Sequence, residues 1–367
     1  MNIYIVTYVH KNYGSLLQAY ALQTCLKKNG ATPIIIQKQS SKSRNKIRLF
    51  ISRLLSDVIF IIKPYQDYDF RRRLRLTIDD YKFGTKYKKL DSFTRDMLSI
   101  VKITNENDFL KTIDNNSVFI AGSDQIWNST ENLSWFSFKW VKSQNFKYSY
   151  AASLGVSTLN NDDLKLYIDA LSSLEMVSLR EKQAFSIFKP IFQNKVRQDL
   201  DPTLLVDKIF WRKKESPRLV SEPYVFVYRL RPNEDVFELA RRVAKEKKYK
   251  IVYTGSYAYR AKDVQTIYDA GVEDFLSYID HAEAVITNSF HGTAFSIIYE
   301  KPFLSVKVAT TGSRAESLLT LLNLKSQYIE DVHRYYTLNI DYSKVNAILT
   351  KEREKSLEYI KTICSNK

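Results

Sequence analysis

Hydrophobic residues in this chain fall into short runs that repeatedly change period. NIYIVT (2–7) is a run of strand length rich in β-branched residues. From Ser15 to Asn29, Leu16, Leu17, Tyr20, Ala21, Leu22 and Cys25 return at helical spacing, and Gly30 stands where a helix stop belongs. Pro33-Ile34-Ile35-Ile36 opens the next strand, so the chain begins βαβ. SVFIAGSDQIWN (117–128), YSYAASLG (148–155) and VSLREKQAF (177–185) each run from a strand into small or polar residues. A polar stretch, 208–222, separates these from a second series: YVFVYRL (224–230), a helix from about Glu234 to Lys247, KIVYTG (250–255), DFLSYIDHA (274–282) and AVITNSFHGTAFSIIYEKPF (284–303). Two successive βαβ series predict an α/β protein with two Rossmann-like domains facing across a cleft. The expected boundaries are 1–207 for the first domain, 208–222 for a hinge and 223–340 for the second. An amphipathic helix over 341–367 is expected to pack back on the first domain.

The stretch 284–303 has a distinctive layout. Ala284-Val285-Ile286 ends a buried strand, and Ala294, Ile297 and Ile298 mark a helix from Thr293 to Tyr299, stopped by Lys301-Pro302. The polar cluster between them therefore lies at the carboxyl end of a strand and the start of a helix. Free N–H groups and partial positive charge favour anions there. His291 would stand beside such an anion pocket, either as an acid or as a cap of the turn.

Composition narrows the setting. The chain has 367 residues, 44% hydrophobic, enough for two ordinary cores. MNIYIVTYVH reads as a strand rather than a signal peptide, and no run of 18 apolar residues occurs, so a cytoplasmic protein is expected. Cys25 and Cys364 lie far apart and suit a reducing compartment. Four histidines without CxxC or HExxH spacing predict no metal site. The net charge of +16 fits nucleic acid, an anionic membrane, anionic small substrates, or simply a solvated lysine-rich surface. Nucleic acid is set aside, since the usual binding signatures are missing and the polar clusters sit at strand ends. Within 44–75, Ile47, Phe50, Ile51, Leu54, Leu55 and Val58 form one helical stripe, and Arg71, Arg72, Arg73 and Arg75 follow. The stripe serves either to dock the protein peripherally on the inner face of the cytoplasmic membrane or as an ordinary domain helix.

NYGSLLQAYALQ, FIAGSDQIWN, VSLRE, DPTLL, EDFLSYIDHAEAVITNSFHGTAFSIIYEKPF and GSRAESLLTLLNL follow one another from residue 12 to 324. In kind and order these blocks resemble the polysaccharide pyruvyl transferase family. The resemblance implies a fold similar to GT-B glycosyltransferases. It also implies transfer of a pyruvyl group from phosphoenolpyruvate, a co-substrate rather than a cofactor, to two hydroxyls of a sugar. The product would be a cyclic ketal in a capsule, an exopolysaccharide or a lipid-linked precursor. His291 would then be the acid, and Arg180 and Arg314 would bind the donor with Asn288, Ser289, Gly292 and Thr293. Where some members carry an arginine two residues before the motif histidine, this chain has Ser289, so donor binding falls to other cations.

Other residues read from their chemistry. In Gly122-Ser123-Asp124-Gln125, the Asp124 carboxylate either accepts a proton from a sugar hydroxyl or caps a helix at Ile126. Asn12, Gly14, Ser15 and Gln18 surround the first βα turn and are expected to line the cleft, with Ser15 as a suitable N-cap and Gly14 permitting close approach. Trp127, Trp135 and Trp140 either stack on sugar rings or belong to the core. The two D-x-D triplets, Asp67-Tyr68-Asp69 and Asp199-Leu200-Asp201, are too short to signal a metal–nucleotide site. The competing activity is a GT-B-like glycosyltransferase using a nucleotide sugar.

Overall fold

The computed structural model describes residues 1–39, 83–114, 116–142, 144–308 and 312–365. The basic amphipathic stretch 44–75 lies outside the described residues. Two parallel sheets organise the chain. The first has strand order β3-β2-β1-β4-β5, with β1 Asn2–Val6, β2 Thr32–Lys38, β3 Ile100–Ile103, β4 Val118–Ala121 and β5 Lys147–Ser149. A parallel pair, β6 Val177–Leu179 and β7 Val196–Gln198, joins β5 through the bridges Tyr148–Met176 and Ala152–Leu179. The second sheet has order β10-β9-β8-β11-β12-β13, with β8 Tyr224–Arg229, β9 Lys250–Gly255, β10 Val264–Thr266, β11 Ala284–Thr287, β12 Phe303–Val306 and β13 Tyr328–Ile329.

In each sheet the strand order reverses once, between β1 and β4 in the first and between β8 and β11 in the second. Register pairs Val6 with Ala121 at one reversal and Tyr228 with Thr287 at the other. Crevices beyond the carboxyl ends of such strands are where open α/β sheets hold ligands. The loops emerging there are Thr7-Tyr8 and Gly122-Ser123-Asp124 on one side, and Leu230-Arg231 and Asn288 to His291 on the other.

Strand alternation divides the core. Ile3, Ile5, Tyr224, Phe226 and Tyr228 all point into one hydrophobic cluster shared by both halves, while Val225 and Val227 serve an outer cluster of the second sheet. Tyr13, at the start of the helix Tyr13–Lys28, crosses the seam: its ring stacks on Phe275 at 4.4 Å and its hydroxyl donates to Ala270 O at 2.9 Å. The terminal helix Tyr342–Ser365 lies against the first unit, where Tyr359 donates to Ser149 O and Arg353 to Leu204 O. The stretch 208–222 carries the short helix Lys208–Arg212, whose Trp211 is fully buried in the shared core.

Three local readings need correction. The first helix is capped by Asn12, whose side chain accepts the Ser15 N–H, so Ser15 lies inside it rather than before it. No helix starts at Ile126; Asp124 instead forms a bridge to Ala152 with φ 79°. The helix after β11 runs Phe290–Ile298 and is capped by Ser289, so His291 and Gly292 belong to its first turn.

Candidate active site

The strand-end motif builds its own scaffold. The Thr287 hydroxyl donates to Tyr228 O at 2.7 Å and accepts the Ser289 N–H at 3.0 Å. Asn288 accepts the Leu230 N–H at 2.9 Å and donates to Arg231 O at 2.8 Å, pinning the loop after β8. Ser289 Oγ accepts the Gly292 N–H, and Thr293 donates to Ser289 O and Ser305 Oγ. A Cβ at Gly292 would come within 2.3 Å of Thr287 Oγ1, so only glycine fits. Asn288, Gly292 and Thr293 are thus held in the frame, and His291 is the member of the motif that reaches across to the other half. Its ring sits on Gly14, where a Cβ would be 2.0 Å from Nδ1.

The loop after β6 supplies Arg180 and the segment after β7 supplies Asp201, both buried. Arg180 Nη1 donates to Asp201 Oδ2 at 2.6 Å, the Ser123 hydroxyl donates to the same oxygen at 3.1 Å, and the Thr203 N–H and hydroxyl fill Oδ1. His291 Nε2 stands 3.7 Å from Oδ2, an ion-pair distance rather than a hydrogen bond. Burial alone would raise the Asp201 carboxyl, but His291, Arg180 and the Thr203 N–H outweigh it and hold it far below the usual carboxylate range. The Arg180 guanidinium also lies 4.5 Å over the Phe290 ring.

Arg314, second residue of the helix Ser313–Leu321, comes into the same place from the opposite side. It lines a cavity with Arg180, Asp201 and Phe290, and a second cavity with Gln125, Arg231, Asn288, Ser289 and Tyr328. Burial, together with the Arg180 charge, pulls its guanidinium down to about 10. Arg314 Nε, Arg180 Nε and Nη2, and His291 Nε2 are all buried and find no hydrogen-bond partner among the described residues. Glu181 lies among them, with Oε1 accepting the Ser153 hydroxyl and Oε2 unpaired. Buried donors in native proteins are almost always satisfied. Orphans from three elements gathered at one place are what an incoming group with acceptors would satisfy.

Of the residues around the first switch point, Ser123 joins the cluster directly. Asp124 is half-buried at its rim, and its Oδ1 accepts the Gln125 N–H at 2.9 Å. Its φ of 79° is strained for a residue with a Cβ. Gly122 gives way to Thr7, 2.9 Å from its absent Cβ. Ser15 and Gln18 do not line open space: both are fully buried, tied to Tyr8 O, and Asn12 is occupied as a cap. Sequence reasoning missed Asp201 and Phe290. The usable signal for Asp201 was Asp201-Pro202-Thr203, an acid that caps its own turn and so is fixed in place. Among the described residues no group of three or more His, Cys, Asp or Glu could hold a metal ion.

Two facing doubly wound units with a cleft at their strand ends define a GT-B-type α/β protein. Within that class the chain belongs to the polysaccharide pyruvyl transferase family, which it matches over residues 12–309. Among solved structures it is similar to Arabidopsis thaliana UGT89C1 complexed with UDP-L-rhamnose, at 8% identity, TM-score 0.52 and 99% coverage of both chains. It also matches the UDP-GlcNAc 2-epimerase from Methanocaldococcus jannaschii at 12% identity and TM-score 0.49, covering 95% of this chain and 92% of that one. The Neisseria meningitidis UDP-GlcNAc 2-epimerase bound to UDP-GlcNAc follows at 11% and 0.46, covering 100% and 95%. At these identities the likeness concerns the fold alone. No curated protein matches the chain.

Proposed function

We propose that this chain transfers the pyruvyl group of phosphoenolpyruvate to two hydroxyls of a saccharide, forming a cyclic ketal and releasing inorganic phosphate. The observation that carries the reading is the set of unpartnered buried donors on Arg180, Arg314 and His291. Phosphoenolpyruvate bears a phosphate and a carboxylate on the same enol carbon, and two guanidinium forks with an imidazole match that pair of anions.

In this reading His291, held by the Ser289-capped helix and facing Asp201, delivers a proton to the enol methylene carbon. Positive charge then develops on the neighbouring carbon, and the first sugar hydroxyl bonds to it while giving up its proton to a carboxylate. Asp124, at the rim, is the acceptor proposed for that proton. The phosphate leaves with its bridging oxygen, and the second hydroxyl closes the ketal. One proton has gone to carbon and one to phosphate, matching the two lost by the hydroxyls. Arg180 and Arg314 hold the departing phosphate and the carboxylate in place.

The test is incubation of the protein with a saccharide acceptor and either phosphoenolpyruvate or a nucleotide sugar. Release of phosphate with a new ketal carbon in the product's NMR spectrum is the expected result. Release of nucleotide instead would assign the chain to glycosyl transfer.

A further inference from the structure

Beyond the carboxyl edge of the first sheet lies an open groove of about 580 Å³, within the usual size of small-molecule sites. We infer that this groove is a saccharide subsite, binding sugar units of the acceptor through Trp135, Tyr8, Lys38, Glu106 and Asn132. The inference rests on the proposed transfer to a sugar and extends it to a part of the protein that the donor does not touch.

The three tryptophans of this region separate cleanly. Trp127 is fully buried and belongs to the core. Trp135 and Trp140 are only half-buried, stack on each other at 4.8 Å and 10°, and line the groove together with Tyr8 and Phe136. Tyr8 and Phe136 meet edge to face at 4.9 Å, which fixes the groove's floor. Aromatic surface of this kind matches the C–H faces of a sugar ring, while the surrounding amide, carboxylate and ammonium groups match its hydroxyls.

Charge distinguishes this ligand from the donor. Lys38 already pairs with Glu106 at 2.5 Å, and Lys139 at the groove's edge already pairs with Asp169. Among the described residues the groove therefore has donors and acceptors but no surplus cation, unlike the Arg180–Arg314 cluster. A neutral polyhydroxyl fits it better than a phosphate. Position supplies the link to the chemistry. Tyr8 follows Thr7, whose hydroxyl donates to Ser123 O at 2.7 Å, and Asp124 is the next residue along. The Asp124 charge also acts on the Tyr8 phenol, which burial first and this carboxylate second push up. A saccharide chain seated in the groove would end beside the carboxylate proposed to take its proton.

The experiment is saturation-transfer NMR on the whole protein with maltose, cellobiose, lactose and chitobiose, alongside calorimetric titration of phosphoenolpyruvate. Wild type should show saturable transfer to at least one disaccharide. Trp135→Ala should weaken that binding about tenfold, and Asn132→Ala, at an exposed position, several-fold, on the scale of one aromatic or hydrogen-bonding contact. Phosphoenolpyruvate binding should be unchanged in both variants, which also reports that they fold. No transfer to any of the four sugars in wild type, or wild-type affinity in both variants, overturns the inference. Sugar binding without phosphoenolpyruvate binding would remove the donor reading and leave the groove standing; the reverse would remove the groove alone.

Discussion

The two halves of the molecule meet in two places that treat buried cations in opposite ways. At the seam, the buried Lys86 from the helix Gly84–Met97 donates to Gly255 O at 2.7 Å and lies 4.5 Å over the Tyr13 ring, and the exposed Lys89 beside it pairs with Asp274 at 2.7 Å. At the cleft, Arg314 has no ion pair among the described residues, and Arg180 and His291 keep orphaned N–H groups beside their shared Asp201. The same chain can thus satisfy a buried cation when it serves only to join the halves. Where it leaves several unsatisfied among the described residues, the proposed donor is what would supply their acceptors.

The sharpest break of this comparison is at His291. Its replacement by alanine should lower kcat for phosphate release by about 10²–10⁴-fold, the usual worth of a positioned general acid. Asp201 keeps Arg180 and Thr203 as partners, so the midpoint of thermal unfolding should move little. Steady-state phosphate release with circular dichroism melting measures both, and near-wild-type turnover would remove the acid role.

The two arginines should then separate. Arg180→Met leaves the buried Asp201 without its closest cation, a loss of about 3–5 kcal/mol in chemical denaturation. Arg314→Met removes a cation that has no ion pair among the described residues and that burial and the nearby Arg180 pull down more than the carboxylates around it raise it, so stability should hold or rise. Both variants should lose kcat/KM for phosphoenolpyruvate. Equal destabilisation of the two would show that Arg314 is anchored as firmly as Arg180, and the contrast would fail.

A smaller effect is expected at Gly14, where the two halves touch through the His291 imidazole. Gly14→Ala drives a Cβ to 2.0 Å from His291 Nδ1, and neither the first helix nor the imidazole can yield easily. Overpacking of this kind destabilises by about 1–3 kcal/mol, and displacement of the ring should lower kcat more than KM. Unchanged kcat with unchanged stability would mean that the ring is free to swing.

How far this could be read from sequence differs between elements. The strands at 2–6, 32–38, 224–229 and 250–255 were legible because each holds a short, mostly buried apolar run bounded by turn residues, as strands of parallel sheets do. Helix starts were less so. Thr293 is the first residue of the apolar stripe, yet Ser289 caps the helix four residues earlier, because a first turn of Phe290-His291-Gly292 carries no period of its own. Of the cluster, His291 was legible from the strand-to-helix layout of 284–303, while Arg180 and Arg314 came from motif resemblance. Asp201 escaped because its D-x-D triplet is set aside as too short to signal a metal, and its partners are brought by β6, the helix at Phe290 and the turn at Ser123, all remote in sequence.

The mildest test concerns the satisfied side of the comparison. Burial lowers the Lys86 ammonium from 10.5 to about 8, since its neighbours at the seam are a carbonyl and aromatic rings rather than a carboxylate. Below pH 8 the folded and unfolded chains both hold this proton, and folding bears the full cost of burying the charge. Between about pH 8 and 10.5 the unfolded chain still holds it while the folded one has released it. The unfolded state then binds more protons, so stability rises with pH across that window. At about 1.4 kcal/mol per unit, the rise from this group is at most roughly 3 kcal/mol. Lys86→Met keeps the apolar contacts with Tyr13 and Phe83 and removes the titration. Its stability at any one pH also reflects the loss of the bond to Gly255 O, so the slope is the informative quantity. Urea denaturation at several pH values should show wild type gaining on Lys86→Met between pH 8 and 10. Parallel curves would mean that Lys86 stays charged in the folded protein and that water or an anion reaches the seam. In that case the seam and the cleft would no longer differ in how they treat a buried cation.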